Sequence, residues 1–423
     1  MTRRIRLAGM TSLAFTIFAG LTPALRAEGP FAIKEGDRIV FYGDSITDQR
    51  LYTTFVETYI VTRFPTLNVS FVHSGWGGDR VTGGGGGRID HRLERDVFAY
   101  KPSVVTVMLG MNDASYRPFD QKIFDVYAKG YEHLVESLKS NLSGVRITLI
   151  QPSPFDDVTR KPNFEGGYNQ VLRRYGEFVK QLAEKEGAGV ADLNTSVVAA
   201  LEKAKGIDSG GAQTLIQDRV HPGPAGQLLM AEALLKAWNA PAVVSSVELD
   251  AASGKLIKEE NCKVDDLKVD GAINWTQLDS ALPMPIDQKD KAIALAVKAS
   301  DVEQALNQEI LKVTGAPAAG YTLKIDGEKV ADLTKDQLAA GVNLAELDTP
   351  MFRQAKAVHG MTLGHNTLHF WRWRTIQVPR ESRGYPGLAK AIEGLDALEA
   401  DEVAEHRKKA KPVPHRFELV PLQ

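Results

Sequence analysis

The spacing of apolar positions changes repeatedly along the first half of the chain. From residue 37 to roughly residue 240, short apolar runs alternate with longer stretches whose apolar residues recur every third or fourth position. "RIVFY" (38–42), "VSFVH" (69–73), "SVVTVML" (103–109), "VRITLI" (145–150) and "GVADL" (189–193) are rich in β-branched residues and read as strands. The run at 103–109 is apolar throughout, which suits a central strand buried on both faces. Ile123, Tyr127, Tyr131, Leu134 and Leu138 keep helical spacing. Val171, Tyr175, Phe178 and Leu182 do the same, ahead of Gly187, a C-cap residue type. "LYTTFVETYIVTRF" (51–64) and "AGQLLMAEALLKAW" (225–238) predict two further helices.

Strands alternating with helices imply a parallel sheet covered on both faces. The expected fold class is α/β: a flavodoxin-like three-layer α/β/α sandwich with a five-stranded parallel sheet, plus a C-terminal mixed β/α region. Open α/β sheets bind ligands beyond the carboxyl ends of their strands. Chemistry is therefore sought at 43–48, 74–87, 110–113, 152–168 and after Leu193.

From residue 243 the pattern changes. "SSVELDAASGKLIKEE" reads as a hairpin turning at Ser253-Gly254. "YTLKIDGEKVADL" is a stronger hairpin, with Asp326-Gly327 as its two-residue turn. Thr334 with Gln337 forms a capping-box pattern. Residues 385–411 read as a surface helix with Leu388, Ile392, Leu395 and Leu398 on one side. The expected organisation is an N-terminal segment 1–27, an α/β domain at 28–242, and an accessory region at 243–423 packed tightly on it.

The N-terminal segment has its own signature. Basic "MTRRIR" precedes apolar "LAGMTSLAFTIFAGL" and then "TPALRA", with Ala27 as the last residue of a removed segment. That is the layout of a secretory signal peptide, although Leu25 stands where a small residue is commoner. It predicts an exported protein, periplasmic or extracellular, with no integral membrane span after signal removal; a retained anchor is the alternative. The formal net charge of −2 argues against a polyanion partner, so no nucleic acid is expected. Cys262 is the sole cysteine, which excludes an intrachain disulfide and cysteine metal clusters.

In "FYGDSITDQ" (41–49), Ser45 lies between Asp44 and Asp48. A serine nucleophile needs a histidine base, a carboxylate to orient it, and donors for the developing oxyanion. "QDRVHPGP" (217–224) offers Asp218 and His221 in a loop, because Pro222 and Pro224 disfavour a continuous helix. Their spacing lets the carboxylate reach Nδ1 while Nε2 faces a serine; a solvated turn is the plainer reading. "LGMNDA" (109–114) places the Asn112 amide at the end of the most apolar strand, where turn or cap formation alone explains it. "HSGWGGDR" (73–80) carries Gly75, Gly77 and Gly78, which allow close backbone approach or simply a flexible connector.

Taken together and in this chain order, these blocks resemble the SGNH hydrolase family, the GDSL esterases and lipases. Gly43-Asp44-Ser45-Ile46, the glycine segment with Gly78, Gly110-Met111-Asn112-Asp113 and Asp218-Arg219-Val220-His221 carry the resemblance. It implies that Ser45 is the nucleophile, His221 the general base and then acid, and Asp218 its orienting carboxylate. It implies an oxyanion hole made by the Ser45 amide, the Gly78 amide and the Asn112 side chain. His73-Ser74 stands where this family often has an Asn-Arg pair, and the chain beyond residue 240 lies outside the family core.

The implied activity is an exported serine esterase that hydrolyses carboxylic esters through an acyl-enzyme. Family habit and location point to a carbohydrate O-acetylesterase. The alternatives are a lysophospholipase or general carboxylesterase and, in a different class, a glycan-binding or envelope scaffold protein with little turnover. The expected partner is a small-molecule or carbohydrate ester substrate, with no cofactor and no metal. Trp76 is a candidate to wall an acyl pocket or simply to pack, and Arg80 and Arg88 to contact an anionic or sugar substrate. "GGGGGR" (83–88) lacks the ending of a phosphate loop and reads as a flexible loop at the site's edge. Asp44 and Asp48 read as loop bracing. His365 and His369 have the spacing of a helical metal pair, but Gly364 weakens a helix there. Trp371 and Trp373 alternate with Arg372 and Arg374 as on a strand or stacking surface, with packing preferred over a sugar platform.

Overall fold

The computed structural model describes residues 29–422. The signal peptide expected at 1–27 lies outside the described residues. Five parallel strands form the first sheet: β1 (Arg38–Gly43), β2 (Ser70–Gly75), β3 (Val104–Met108), β4 (Arg146–Ile150) and β5 (Gly189–Ala191). Their spatial order is β2-β1-β3-β4-β5, the order of flavodoxin-like sheets. β3 is buried at every position, as its unbroken apolar run requires.

Helices Leu51–Arg63, Leu193–Ile207 and Pro224–Ala237 pack in a row on one face. Gln121–Asn141 and Gly167–Glu186 cover the other. Asp120 caps the former with its carboxylate, and Gly187 ends the latter in the left-handed region at φ 65. Register places the ends of three strands side by side: Gly43 pairs with Gly75 on one side and Met108 on the other. The loops holding Ser45, Gly78 and Asn112 therefore leave the sheet together.

Two further sheets follow. Val342–Asn343, Gln308–Thr314, Val243–Asp250 and Lys255–Glu260 form a four-stranded mixed sheet. Cys262–Asp270, Ala272–Asp279, His415–Pro421, Gly320–Ile325 and Glu328–Thr334 form an antiparallel one, with the last strand of the chain at its centre. Both predicted hairpins and the Thr334–Gln337 capping box are present. Tyr321, Leu323, Trp275, Phe417 and Leu311 anchor a second core. Met284–Leu306 instead contributes Ile286, Ile293, Leu295 and Val302 to the core of the α/β sandwich.

A long helical hairpin, Pro350–Phe370 and Pro386–Lys409, lies along Leu51–Arg63 and the edge strand β2. Gly364 does not interrupt the first of these helices. A glycine costs roughly 1 kcal/mol in a helix, and burial of the Ala355, Val358, Thr362 and His365 face outweighs it. The strand-like alternation at 371–374 is also corrected: Trp371–Gln377 continues the helix as a π-helical segment. Wider winding there buries Trp373 and leaves Trp371 exposed. Nor is 83–88 a plain flexible loop. Gly83 pairs with Arg88 and Gly84 with Gly87 in a small antiparallel ladder. Among the described residues, no helix is long and apolar enough to cross a membrane.

Candidate active site

Ser45 opens a one-turn helix, Ser45–Asp48, directly after β1. Asp44 is its N-cap and accepts from the Ile46 amide at 3.0 Å. Burial pushes the Asp44 carboxyl up to about 7, against the opposing pull of that amide. Gly75, at the end of β2, presses against this helix so closely that a Cβ there would collide with the Asp48 backbone. Asp48 then accepts from the Gly77 amide at 3.2 Å, tying the serine helix to the glycine loop.

His221 arrives from the loop before helix Pro224–Ala237. Its Nε2 lies 2.8 Å from Ser45 Oγ, and its Nδ1 lies 2.6 Å from Asp218 Oδ2. Asp218 Oδ1 accepts from the amides of Val220 and His221 at 3.0 and 2.7 Å. Burial works to raise the Asp218 carboxyl, but the His221 amide and imidazole and the Val220 amide hold it below the ordinary range. Between the two residues, Arg219 adopts a left-handed backbone at φ 74. Its guanidinium anchors the loop through Asp157 at 2.7 Å and the Asp156 carbonyl at 3.0 Å. The helix itself is fixed by Gln227, which accepts from the Tyr52 amide at 3.0 Å and donates to Gln49 at 2.8 Å.

Asn112 follows β3 and donates to the Asp79 carbonyl at 3.1 Å, while its own carbonyl accepts from Tyr116 at 3.1 Å. This holds the asparagine side chain against the glycine loop at the Asp79 carbonyl. Gly78 has φ +80, which an L-residue rarely adopts. Among the described residues, neither the Gly78 amide nor the Ser45 amide has an intramolecular acceptor. Asn112 has a second N–H beyond the one given to Asp79. The serine, glycine and asparagine loops that leave the sheet together thus carry two free backbone amides and one side-chain N–H. Such donors can stabilise charge that develops on a carbonyl oxygen. Asp113 braces the same loop by accepting from Val81 at 2.9 Å, and burial pushes its carboxyl up to about 7.

The glycine loop has a second support that sequence reasoning missed. Arg92 donates to Asp79 Oδ2 and to the Ser74 carbonyl, both at 2.8 Å, and pairs with Asp96. Ser74 donates to the Asp96 carbonyl at 2.7 Å, and Trp373 donates to the Asp96 carboxylate at 2.6 Å. The Arg92–Asp96 spacing of four was visible as a helical pair; its burial beneath the loop was not. Trp76 is nearly buried, edge-on to Trp373 at 5.6 Å, and the Arg374 guanidinium covers its ring. Arg80 is exposed and bridges to Gly83.

One group among the described residues has metal-ligand spacing, Glu57 with His365 and His406. It lies between the helical hairpin and Leu51–Arg63, apart from Ser45. Glu57 and His365 bond to each other at 2.7 Å, and His406 bonds to Thr362 at 2.8 Å, so these ligand atoms are mutually engaged.

A family model for GDSL-like lipases/acylhydrolases matches residues 41–229. The chain is 29% identical over 226 residues to an acetylxylan esterase of Geobacillus stearothermophilus, covering 48% of this chain and 94% of that protein. The structure of BT4096, described as a gut microbial diltiazem-metabolizing enzyme, is 26% identical with a TM-score of 0.78. That likeness covers 92% of this chain and 98% of BT4096, and so extends through the C-terminal sheets. Residues 41–229 thus belong to the GDSL-like lipase/acylhydrolase (SGNH hydrolase) family, and the protein is a carboxylic ester hydrolase.

Proposed function

We propose that the chain is an exported serine esterase that removes small acyl groups, acetyl above all, from carbohydrate esters. Residues 1–27 direct export, 28–242 form the catalytic domain, and 243–423 are an accessory region. The Ser45–His221–Asp218 relay carries the reading. His221 Nε2 removes the Ser45 proton as Oγ attacks the ester carbonyl. The Ser45 and Gly78 amides and the Asn112 side chain hold the oxyanion. The bond to the alcohol then breaks, His221 protonates the departing alcohol, and water activated by the same imidazole releases the acid. Asp218 holds the tautomer with its proton on Nδ1 and stabilises the imidazolium. Likeness to an acetylxylan esterase supports the acetyl and carbohydrate part. Likeness along nearly the whole chain to BT4096 favours a second reading, in which the substrates are small-molecule esters.

The test compares wild type with Ser45→Ala on 4-nitrophenyl acetate, then on acetylated xylan, lysophospholipids and short acyl esters. Equal rates in the two proteins would remove the nucleophile assignment. Faster turnover of lysophospholipids than of acetylated glycans would replace the substrate class. N-terminal sequencing of secreted protein, expected to begin at Glu28, tests export.

A further inference from the structure

Among the described residues, two arginines beside the serine helix have no hydrogen-bond acceptor. Arg374, from the π-helical segment, lies 3.2 Å from the centre of the Trp76 ring. Its nearest carboxylate, Asp48, is 3.7 Å away, beyond hydrogen-bond range. Arg50, two residues after Asp48, places its guanidinium 4.2 Å from the centre of Phe370, and Arg374 lies 5.9 Å from the same ring. Nη1 of each is buried without a partner. Among the described residues, neither guanidinium donates a hydrogen bond.

Such an arrangement is costly. A buried donor left unpaired costs about 1–3 kcal/mol, and more when charged. Asp48 is the acid that both arginines share, and one of its oxygens is already taken by the Gly77 amide. Asp79 and Asp96 also act on Arg374, with Arg92 opposing them, but none of these acids accepts a hydrogen bond from it. Arg50 also holds a left-handed backbone at φ 58, which costs a non-glycine residue roughly 1–2 kcal/mol. Asn or Gly would sit there more easily, so the backbone alone gives no reason for an arginine.

The position is next to the reacting serine. Asp48 is on the same short helix as Ser45. A Cβ on Gly77 would lie 3.6 Å from Asp48 Oδ2 and 3.9 Å from Ser45 Cβ, so only one glycine separates the two. The Arg374 side chain keeps 21% of its surface open. The planar guanidinium matches a carboxylate bidentately, and a bound carboxylate would give the unpaired Nη1 donors their acceptors.

We propose that Arg374 and Arg50 form a carboxylate subsite that selects esters whose alcohol portion carries a negative charge, such as an acylated uronic acid. The proposal rests on Ser45 as the nucleophile. It makes the C-terminal region, outside the family core, a determinant of substrate choice.

The experiment measures kcat/KM for an O-acetylated methyl glucuronoside and for the same compound as its uncharged C6 primary amide, which is close in size and adds no second ester. The full-length wild type is expected to favour the anion. Arg374→Met, which keeps a long side chain on Trp76, is expected to lower the ratio of anionic to neutral kcat/KM roughly tenfold or more, mainly through KM, the size of one charge-assisted hydrogen bond. Arg50→Met gives the same readout should Arg374→Met fail to fold. No anion preference in wild type, or equal losses on both substrates in the variants, would overturn the proposal and leave Arg374 as a brace for Trp76. Ser45→Ala separates the two readings. Undiminished turnover in that variant removes the nucleophile assignment, whereas a changed charge ratio in Arg374→Met is read independently of it.

Discussion

His365 Nε2 lies 2.7 Å from Glu57 Oε1, joining two buried residues 308 positions apart. The second Glu57 oxygen meets His73 Nε2 at 3.1 Å and Asn366 Nδ2 at 3.3 Å. This buried pair fastens the C-terminal helical hairpin to the α/β sandwich. Removing one member of such a pair leaves an uncompensated charge, at about 3–5 kcal/mol. Glu57→Ala is expected to lower the melting temperature by far more than an exposed exchange such as Glu184→Ala. Thermal melting of the two variants checks this.

The same cluster sets a pH dependence. Burial opposes the charged His365, but Glu57 and Glu399 outweigh it and raise the imidazole to about 10. Its contribution is full below the ordinary value of 6.5 and is lost as pH rises from there through about 10. Burial lowers His359 and His406 to about 4, so their contribution is present above 6.5 and is lost as pH falls toward 4. Burial opposes ionised Glu57 as well, yet His365 and His73 hold it well below 4.5, which adds a further loss in stronger acid. Stability from this cluster is therefore expected to peak near pH 6.5. Melting temperatures measured from pH 4 to 10 should fall on both sides, with a shallower alkaline fall in Glu57→Gln.

Asp218→Asn is expected to keep the fold, because its carbonyl can still accept from the Val220 and His221 amides. The new NH2 would face His221 Nδ1 and favour the wrong tautomer. A kcat loss of roughly 10⁴ follows from comparable triads. Steady-state kinetics with an unchanged melting temperature checks it.

If Asn112 is an oxyanion donor as proposed, Asn112→Ala is expected to cost about 10²–10³ in kcat with little change in KM. Tyr116→Phe is the control. It deletes the hydrogen bond to the Asn112 carbonyl while leaving the amide in place, so a much smaller loss is expected.

Trp373→Ala should show that the C-terminal segment supports the glycine loop. Trp373 is buried, donates to Asp96 and packs edge-on against Trp76. The cavity should cost about 3–5 kcal/mol. A loosened loop should also lower kcat at temperatures where the variant remains folded. Unchanged kcat in a folded variant would confine Trp373 to stability.

The sequence by itself determined the parallel sheet, the order of its loops and the grouping of Ser45, Gly78, Asn112, Asp218 and His221 at their ends. The sheet and its loop order rest on period, whereas the grouping of those residues rests on the resemblance of the four blocks to the SGNH hydrolase family; β1, β2 and β3 then place three of the loops together by register. The tertiary structure decided the rest. Arg92 beneath Ser74 and Asp79, Trp373 on Asp96, Arg374 on Trp76 and His365 on Glu57 are pairings between distant segments, and no local pattern encodes them. The helix through Gly364 and the π-turns at Trp371–Gln377 were misread for the same reason. Intrinsic preferences amount to roughly 1 kcal/mol per residue, and burial against Leu51–Arg63 and β2 outweighs them only once the chain has folded.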